Sequence, residues 1–339
     1  MTVLVTGSAG FIAGYLVQEL LDRGHEVIGV DNLSKYGAVE KSYGRDSRYC
    51  FIQGDVKDIQ LLTDLAKSCD HIIACASRIG GISYFHEFAY DLLAENERIM
   101  AATMDGALAA FQKGRLKKIT ILSSSMVFEN ATRFPTPEDH LKECPAPSST
   151  YGFQKLACEM FARGAHEQYG LPFTIVRPFN CVGVGERRAL CSKEVWSGNV
   201  TLAMSHVVPD LVQKILKNQD PLHILGNGLQ VRHYTYGGDL ARGICLAMEH
   251  PSALLEDFNL SSPISTTVLE LAERIWRKIR INQPFRYICD PPYPHDVPRR
   301  SPDVSKAKKI LGFEATTTLD QILDEVIPWV EKAVQKGVI

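Results

Sequence analysis

The sequence predicts an α/β protein in which a doubly wound parallel sheet is followed by a smaller C-terminal lobe. Two observations predict the sheet. Short runs rich in Val and Ile alternate with longer segments of helical period, and these runs are continuously apolar, as expected of parallel strands covered on both faces. A third observation, the loss of this rhythm after about Pro178, predicts the lobe. The 339 residues suffice for one large α/β unit or for two domains.

Composition and charge exclude several classes of protein. Lys and Arg number 37 against 39 Asp and Glu, whereas nucleic-acid and membrane-surface proteins normally carry a basic excess or patch. No apolar run approaches the ~20 residues that span a bilayer, and the first apolar stretch lacks the basic leader of a signal peptide. Nine cysteines without a C-x-x-C pair favour reduced thiols over disulfides or a zinc site. We therefore expect a globular, cytoplasmic protein with no metal, nucleic-acid or membrane partner.

The apolar pattern predicts the individual elements. Strands are expected over residues 2–6, 26–30, 49–52, 71–75, 118–122 and 173–176. Helices are expected over residues 11–23, 58–68, 89–113 and 150–169. In the first helix, Ile12, Leu16 and Leu20 form an apolar stripe at helical spacing. Beyond the sheet, the pattern predicts a helix at 209–218, a strand at 222–225, a helix near 239–249 and a C-terminal helix at about 318–335.

A glycine-rich turn joins the first strand to the first helix. It reads Gly7-Ser-Ala-Gly10-Phe-Ile-Ala13, in which Gly7 permits a tight turn and Gly10 lets backbone amides approach a pyrophosphate at the helix N-terminus. Ala13 stands where a third glycine would allow close helix–strand packing, and one methyl group is tolerable there. Because a strand precedes the turn and a helix follows it, the motif favours a Rossmann-type dinucleotide site over an ordinary βα turn.

Two acidic residues at strand ends extend this prediction. Asp31 ends the second strand, where a carboxylate can accept both hydroxyls of an adenosine ribose and repel a 2′-phosphate. It therefore predicts NAD rather than NADP, although a carboxylate after a strand also caps turns. Asp55, with Val56 after the third strand, is placed either to hold the adenine amino group or to form a plain turn.

These motifs suggest how the chain is divided. We predict an NAD-binding Rossmann domain over residues 1–180, with a returning segment at about 226–250. Residues 181–225 and 251–316 are predicted to form the lobe that binds the substrate, and residues 317–339 the C-terminal helix. Ligands of an open α/β sheet bind at the carboxyl ends of its strands, so the lobe should close over that edge.

A tyrosine and a lysine begin the fourth predicted helix. Tyr151 and Lys155 are four positions apart, which puts them on one helix face. A free phenol, with a reference pKa near ~10, is a poor base at neutral pH, but an adjacent ammonium and the positive nicotinamide of NAD⁺ favour the phenolate. Alone, such a pair is usually an amphipathic surface feature. Ser124, at the end of the strand 118–122, favours a catalytic interpretation because its hydroxyl should face the same crevice as the cofactor.

In this order, the residues resemble the extended short-chain dehydrogenase/reductases. The pattern comprises Gly7-x-x-Gly10-x-x-Ala13, Asp31, Ser124, Tyr151-x-x-x-Lys155 and Arg177-Pro-Phe-Asn180. More narrowly, the chain resembles the NAD-dependent nucleotide-sugar epimerases and dehydratases. The likeness continues to Arg232 and to the pair Arg299-Arg300 near the C-terminus.

The resemblance implies a role for individual residues. Ser124 would hydrogen-bond the reacting oxygen of the substrate, Tyr151 would be the acid/base, and Lys155 would support it and anchor the nicotinamide ribose. Further cofactor contacts are expected from Phe11, Ile12, Asn32, Asp55, Val56, Ala76, Asn96 and Pro178. Substrate contacts are expected from Gly81, Ser125, Asn180, His206, Arg232 and Arg300, with Arg299 as the alternative to Arg300. Guanidinium groups suit a diphosphate because their fork matches phosphate oxygens, although Arg232 could also be a solvated turn residue.

The two positions after Ser124 distinguish the reactions of this family. Its 4,6-dehydratases have Asp-Glu there, uronate decarboxylases have a glutamate at the second position, and GDP-mannose 3,5-epimerases have a cysteine. This chain has Ser125-Met126, and a thioether cannot transfer protons. Elimination or C5 chemistry would need another acid, for which Glu129, Cys181, Glu186, Lys193 and His206 are available without a supporting pattern. Cys181 is more typical of a small buried residue.

We therefore expect an NAD-dependent epimerase of a nucleoside-diphosphate sugar that transiently oxidises C4. One alternative is a related dehydratase or decarboxylase with an acid elsewhere. Another is a non-catalytic NAD-binding module, which would be free to lose Ser124, Tyr151 and Lys155, all three of which are present. By analogy with the family, the helices at 89–113 and 150–169 predict a homodimer. The sequence identifies neither the base nor the sugar.

Overall fold

The apolar runs of the first half form the strands of a parallel sheet. The computed structural model describes residues 1–80, 87–190, 195–202, 206–292 and 296–339. The strands are β1 (Thr2–Thr6), β2 (Glu26–Asp31), β3 (Tyr49–Gln53), β4 (His71–Ala74), β5 (Lys118–Leu122), β6 (Phe173–Pro178), β7 (Cys181–Val182), β8 (Val195–Ser197), β9 (Val200–Leu202), β10 (Leu222–Leu225), β11 (Val231–Arg232), β12 (Thr235–Tyr236), β13 (Asp257–Leu260), β14 (Thr266–Thr267) and β15 (Tyr287–Asp290). The helices are α1 (Phe11–Asp22), α2 (Ile59–Ala66), α3 (Ala89–Gln112), α4 (Thr150–Tyr169), α5 (Val207–Leu216), α6 (Gly237–Glu249), α7 (Val268–Ile279), α8 (Ser305–Leu311) and α9 (Leu319–Gln335).

Seven of the described strands join in one sheet, in the order β13-β6-β5-β4-β1-β2-β3. Every neighbouring pair is parallel. The order reverses between β1 and β4, because the chain adds β2 and β3 on one side of β1 and β4 to β6 on the other. At such a switch point the carboxyl ends of the strands leave a crevice for a ligand.

Alternate residues of β1 face two separate cores. Val3 and Val5 pack in the core that also holds Leu16 of α1 and Leu240 of α6. Leu4 faces the opposite core, which is formed with α2, α3 and α4. Both faces of the strand are therefore covered, which explains why the run is continuously apolar.

Local signals fix the two ends of α4. The Ser149 hydroxyl precedes the helix and accepts a hydrogen bond from the Gly152 amide at 3.0 Å. The helix ends at Gly170, whose φ of 75° is the left-handed conformation that glycine adopts at low cost. The N-terminal cap holds the first turn of α4, which carries Tyr151.

A third core forms the C-terminal lobe. It joins α5, α7 and α9 with β10 around the fully buried Trp276. A reciprocal cap begins α7, because the Thr267 hydroxyl accepts from the Glu270 amide at 3.1 Å while the Glu270 carboxylate accepts from the Thr267 amide at 2.7 Å. Short pairs of strands, β10 with β15 and β11 with β14, complete the lobe.

The predicted fold class is confirmed, with differences in the second half. β1 to β6 and α1 to α4 lie within two residues of their predicted bounds, whereas β13, α7 and α8 were not predicted. β13 falls in the segment 251–316, which was assigned to the lobe, yet it pairs with β6 in the main sheet. The returning segment near 226–250 includes α6, which packs on α1. The wider division into domains stays a prediction.

Across the described ranges, none of the helices combines the length and the apolar character needed to cross a bilayer.

Candidate active site

A cavity of about 1340 Å³ opens at the carboxyl ends of the sheet strands and continues beneath the lobe. Residues that follow β1, β2, β4, β5 and β6 line one part of it, and residues of α5, β10 and β11 line the other. Pockets for one small ligand usually measure roughly 300–1,000 Å³. The cavity therefore has room for a dinucleotide and a second ligand together.

The glycine turn forms a cradle at one end of this cavity. Gly7 has a φ of 69°, and a Cβ on it would lie 2.7 Å from the Cα of Ala76, so that only glycine fits. Gly10 precedes α1, which has neither a side-chain cap nor an acidic residue in its first turn. Phe11 and Ile12 line the cavity beside the two glycines and Ala76. The free helix N-terminus and the close backbone approach fit the pyrophosphate of a dinucleotide.

Asp31 lines the same end of the cavity and also holds the glycine turn. Its Oδ1 accepts from the Leu33 amide at 2.7 Å and its Oδ2 from the Ala9 amide at 3.1 Å. These bonds are the turn-capping role considered above. Each carboxylate oxygen can accept a second donor, so the predicted contact with ribose hydroxyls is still chemically open. Asn32, Asp55 and Val56 line the cavity beside it.

Asn96 lies behind the cavity wall rather than in it. The side chain is buried, and its Nδ2 donates to the Arg78 carbonyl at 2.9 Å. Its Oδ1 accepts from the Arg78 amide at 2.6 Å and from the Ser77 hydroxyl at 3.2 Å. Ser77 and Arg78 line the cavity, whereas Asn96 is not among the described residues that do. The amide therefore holds the loop that follows β4 in place, and the expected contact of Asn96 with the cofactor stays a prediction.

The three predicted catalytic residues line the cavity together. Ser124 follows β5, and its hydroxyl oxygen accepts from the Met126 amide at 3.2 Å. Tyr151 and Lys155 lie in α4, and both are buried. The Lys155 ammonium donates to the Leu122 carbonyl at 3.1 Å, which ties the helix to the end of β5. The strand end and the helix start are thus held against each other, as their order in the sequence suggested.

The ring of Tyr151 forms part of the cavity wall. It packs in a small apolar cluster with Leu92, Met126 and Val297. Val297 comes from the proline-rich C-terminal segment, so this segment helps to fix the orientation of the phenol. The ring lines the cavity and does not turn away from it.

A buried ionic network lies behind Ser124. The hydroxyl of the preceding Ser123 donates to Glu159 at 2.6 Å, and Arg177 binds both oxygens of Glu159 at 2.8 and 2.7 Å. Arg177 also donates to Asp257 at 2.7 Å. Burial alone would raise the pKa of Asp257, but the guanidinium of Arg177 and the ammonium of Lys306 outweigh it and lower the pKa to about 2. The network joins β5, α4, β6 and β13 beneath the catalytic residues.

The positions that distinguish the family's reactions carry neither a carboxylic acid nor a thiol here. The Met126 sulfur accepts a hydrogen bond from Arg300 at 3.5 Å, and Ser125 beside it is buried at the cavity wall. Glu129 also lines the cavity, but one carboxylate oxygen accepts from the Ser149 amide at 2.9 Å and from its hydroxyl at 2.8 Å. Glu129 therefore supports the start of α4.

Two arginines line the cavity where the lobe covers it. Arg232 is buried and donates to Asp296 at 3.2 Å. Burial and, next in size, the neighbouring Arg232 together lower the pKa of Arg300 to about 9, although Asp296 acts in the opposite direction. The buried Tyr234 hydroxyl faces both cations and has no hydrogen-bond partner among the residues that the structure describes. Two cations and an unsatisfied hydroxyl suit the oxygens of a diphosphate.

Arg299 lies outside this group. Its guanidinium stacks 4.9 Å from the centre of the Phe134 ring, and it is not among the described residues that line the cavity. Of the two arginines considered from the sequence, Arg300 is the one that reaches the cavity.

The other predicted contacts fall on both sides of the arginines. Pro178, Asn180 and His206 line the cavity, and the Asn180 amide donates to the His233 carbonyl at 3.2 Å. His206 Nδ1 is hydrogen-bonded to the buried carboxylate of Glu186. Cys181 also lines the cavity, and burial raises the pKa of its thiol. Gly81 and Lys193 lie outside the described residues.

Sequence analysis missed a group of polar side chains that lie together at the far end of the cavity. His223 Nδ1 is hydrogen-bonded to Asp290 Oδ1 at 2.8 Å, and Ser197 donates to Asp290 Oδ2 at 3.2 Å. Lys214 donates to the His223 carbonyl at 2.8 Å, and Trp196 borders the group from the β8–β9 hairpin. No local motif joins these residues, because they meet through the pairing of β10 with β15.

Comparisons with known proteins agree with this geometry. The sequence model of the NAD dependent epimerase/dehydratase family matches residues 3–261. A UDP-glucose 4-epimerase of Halalkalibacterium halodurans is 29% identical, over 97% of this chain and 95% of its own. A UDP-N-acetyl-alpha-D-glucosaminuronate decarboxylase of Bacillus cytotoxicus is also 29% identical, over 96% of each chain.

Solved structures show the same likeness. The UDP-glucose 4-epimerase of Thermotoga maritima, crystallised with UDP-glucose, has a TM-score of 0.81 at 27% identity and covers 98% of this chain and 100% of its own. The UDP-glucuronic acid 4-epimerase of Bacillus cereus, in complex with UDP-glucuronic acid and NAD, has a TM-score of 0.82 at 23% identity over 98% of this chain and 99% of its own. The latter likeness concerns the fold.

Proposed function

Because the chain belongs to the NAD-dependent epimerase/dehydratase family, we propose that it is an epimerase of a nucleoside-diphosphate sugar. The reaction would oxidise C4 of the sugar to a ketone and reduce the ketone from its other face. One observation carries the proposal: Ser124, Tyr151 and Lys155 line the cavity that begins at the glycine turn and continues to Arg232 and Arg300. The relatives named UDP-glucose 4-epimerase support this activity and make UDP-glucose the first substrate to test.

The dinucleotide end of the cavity fits NAD. Gly7 and Gly10 would hold its pyrophosphate at the start of α1, and Asp31 would accept the hydroxyls of the adenosine ribose. Asp55 would hold the adenine amino group, and Lys155 the nicotinamide ribose. When bound, NAD⁺ accepts a hydride from the sugar carbon and later returns it.

Tyr151 is proposed to move the proton of the reacting hydroxyl. As phenolate it removes the proton from the sugar oxygen, and as phenol it gives the proton back when the ketone is reduced. The Lys155 ammonium lies on the same face of α4 as Tyr151, and Ser124 donates a hydrogen bond to the oxygen that becomes the carbonyl. General acid–base catalysis of this kind contributes roughly 10²- to 10⁴-fold to the rate.

The lobe is proposed to hold the nucleotide while the sugar turns. Arg232 and Arg300 bind the diphosphate, with His206 and Asn180 beside it and Ser125 near the sugar. A keto-sugar tethered through its diphosphate can present either face without leaving the cavity. Remote binding of the nucleotide thereby supplies the positioning that the chemical step requires.

A lyase is the second candidate, because the decarboxylase of Bacillus cytotoxicus is as similar as the epimerase and Glu129 lines the cavity. Met126 cannot transfer a proton, and Glu129 is engaged with Ser149. Epimerisation is therefore the better supported reaction.

Assembly and location complete the proposal. The face of α3 and α4 carries exposed apolar side chains, among them Tyr90, Phe153 and Met160, which suits the homodimer expected from the family. The eight cysteines in the described ranges are all free thiols, which suits a reducing cytoplasm. We also keep the division into an NAD-binding domain and a substrate lobe as part of the proposal.

Product analysis tests the reaction. We expect purified protein with NAD to interconvert a pair of C4-epimeric nucleotide sugars, starting with UDP-glucose, as followed by proton NMR. Mass spectrometry should show an unchanged product mass. Loss of the mass of water or carbon dioxide would identify the lyase instead.

Tyr151→Phe tests the acid/base. We expect turnover to fall by roughly 10²- to 10⁴-fold because the proton carrier is lost, while NAD and nucleotide diphosphate still bind. Tyr169→Phe is the matched control, since it removes the same hydroxyl from the exposed end of α4. Unchanged turnover in Tyr151→Phe would refute the assignment.

A further inference from the structure

The cavity extends well beyond the two arginines. Along α5, it is lined by residues from His206 at the N-terminus to Lys214 near the C-terminus. Eight positions of an α-helix span roughly 12 Å at 1.5 Å per residue. That length is on the order of a nucleoside. A ligand with its diphosphate near His206 and Arg232 would therefore place its base near Lys214.

The walls of this far end are apolar and suit a flat ring. Val208 and Leu211 of α5 line one side, and Ile224 and Leu225 of β10 line another. Trp196 stands at the edge with 63% of its surface exposed, which is unusual for an indole that borders a cavity and leaves a face for stacking. An aromatic base fits such a slot, because every base has a π-face.

The floor of the slot is polar and is built around a carboxylate. Asp290 lies at the carboxyl end of β15 and is fixed by His223 and Ser197. Its side chain is 25% exposed and lines the cavity. Each carboxylate oxygen can accept two hydrogen bonds, so both keep a lone pair for a further donor. Lys214 is held against the His223 carbonyl at 2.8 Å and offers the remaining hydrogens of its ammonium nearby.

We propose that Asp290 makes this end of the cavity a nucleobase site that selects a base with an exocyclic amino group. This inference rests on the proposed function, because it assumes that a nucleoside diphosphate enters the cavity. Cytosine, guanine and adenine each present an exocyclic amino donor that a carboxylate accepts. Uracil and thymine carry carbonyl oxygens on both sides of their single ring N–H. A carboxylate beside that edge would therefore place at least one of its oxygens against a carbonyl oxygen, with no hydrogen between them.

Binding of free nucleotides tests the selection independently of catalysis. The affinities of CDP, GDP, ADP, UDP and dTDP for the NAD-saturated protein would be measured by isothermal titration calorimetry. We expect CDP, GDP or ADP to bind about tenfold more tightly than UDP and dTDP. Asp290→Asn, which keeps an oxygen for His223 but adds a donor, should reduce or reverse that preference. Asp220→Asn, in an exposed ion pair with Arg286 before β10, should leave it unchanged.

The outcomes separate this inference from the proposed function. Tighter binding of UDP or dTDP by the wild-type protein overturns the selection and leaves the proposed epimerase intact. A preference for CDP, GDP or ADP that survives Asp290→Asn overturns the role of Asp290. If none of the five nucleotides binds, both the inference and the proposed function fail. If Asp290→Asn does not fold, the nucleotide affinities of the wild-type protein still test the selection of the base.

Discussion

The two ends of the cavity are supported in different ways. Behind the predicted catalytic residues, Arg177 and Glu159 are both 0% exposed, and their network ties three strands of the main sheet to α4. At the far end, His223 and Asp290 are each 25% exposed and lie on a sheet of two strands. The residues proposed to carry the chemistry therefore lie on a buried ionic network, whereas those proposed to recognise the base lie on short, partly exposed elements. Substitutions in the network should cost more stability than substitutions at the far end.

The largest expected effect is at the buried network. Arg177→Met removes the cation and leaves Glu159 and Asp257 without their shared partner. Removal of one member of a buried ion pair costs roughly 3–5 kcal/mol, because the other charge stays buried and uncompensated. Urea unfolding should show a loss of that size, with turnover reduced because Ser123 and the end of β5 lose their support.

The exposed pair Arg286–Asp220 provides the control. The side chains are 64% and 29% exposed, and the nitrogen lies 2.6 Å from the carboxylate oxygen. Arg286→Ala should cost no more than about 1 kcal/mol, because solvent screens the pair. Equal losses in the two variants would remove the contrast between the two ends.

Sequence analysis succeeded where structure follows from local pattern. The apolar run of β1 is continuous, and β5 is buried at every position, as parallel strands with two covered faces require. β13 was missed because its polar residues depend on distant partners: Asp257 binds Arg177, and the Asn259 amide donates to the Thr136 carbonyl at 3.0 Å. For α7 the signal was present, since Thr267 and Glu270 form a cap that the sequence displays.

The same distinction between local patterns and contacts of distant residues applies to the site. Tyr151 and Lys155 are neighbours on one helix, so their spacing alone brings them together. The pairs Glu186–His206 and His223–Asp290 join residues from separate segments. The bonds of Asn96 to Arg78 could not be predicted, because a buried amide suits a ligand or the backbone equally well and no local pattern indicates its partner.

Low pH should reduce the stability that Asp257 contributes to the buried ionic network. Its pKa is lowered to about 2, so its carboxylate stabilises the folded state above about pH 4, and this contribution is lost as the pH falls through about 2. The shift corresponds to about 2 kcal/mol. At pH 6, Asp257→Asn should lower the free energy of unfolding by that amount. In this variant Arg177 still pairs with Glu159, and Lys306 still pairs with Glu256 at 2.8 Å. Urea unfolding of both proteins from pH 6 to pH 2 should show the difference shrink, and a constant difference would contradict the assignment.

Substitution of Trp196, at the far end of the cavity, should reduce ligand affinity more than stability. Trp196 is largely exposed, so Trp196→Ala should change the free energy of unfolding by no more than about 0.5 kcal/mol. If the indole stacks on a base, the same variant should lose roughly 1–3 kcal/mol of affinity for the nucleoside diphosphate that binds the wild type best. Trp196→Phe keeps an aromatic face and should retain most of the affinity in calorimetry. Arg177→Met cannot show this pattern, because the buried network that stabilises the fold also supports the predicted catalytic residues. A loss of stability without a loss of affinity in Trp196→Ala would mean that the hairpin supports the lobe instead of contacting the ligand.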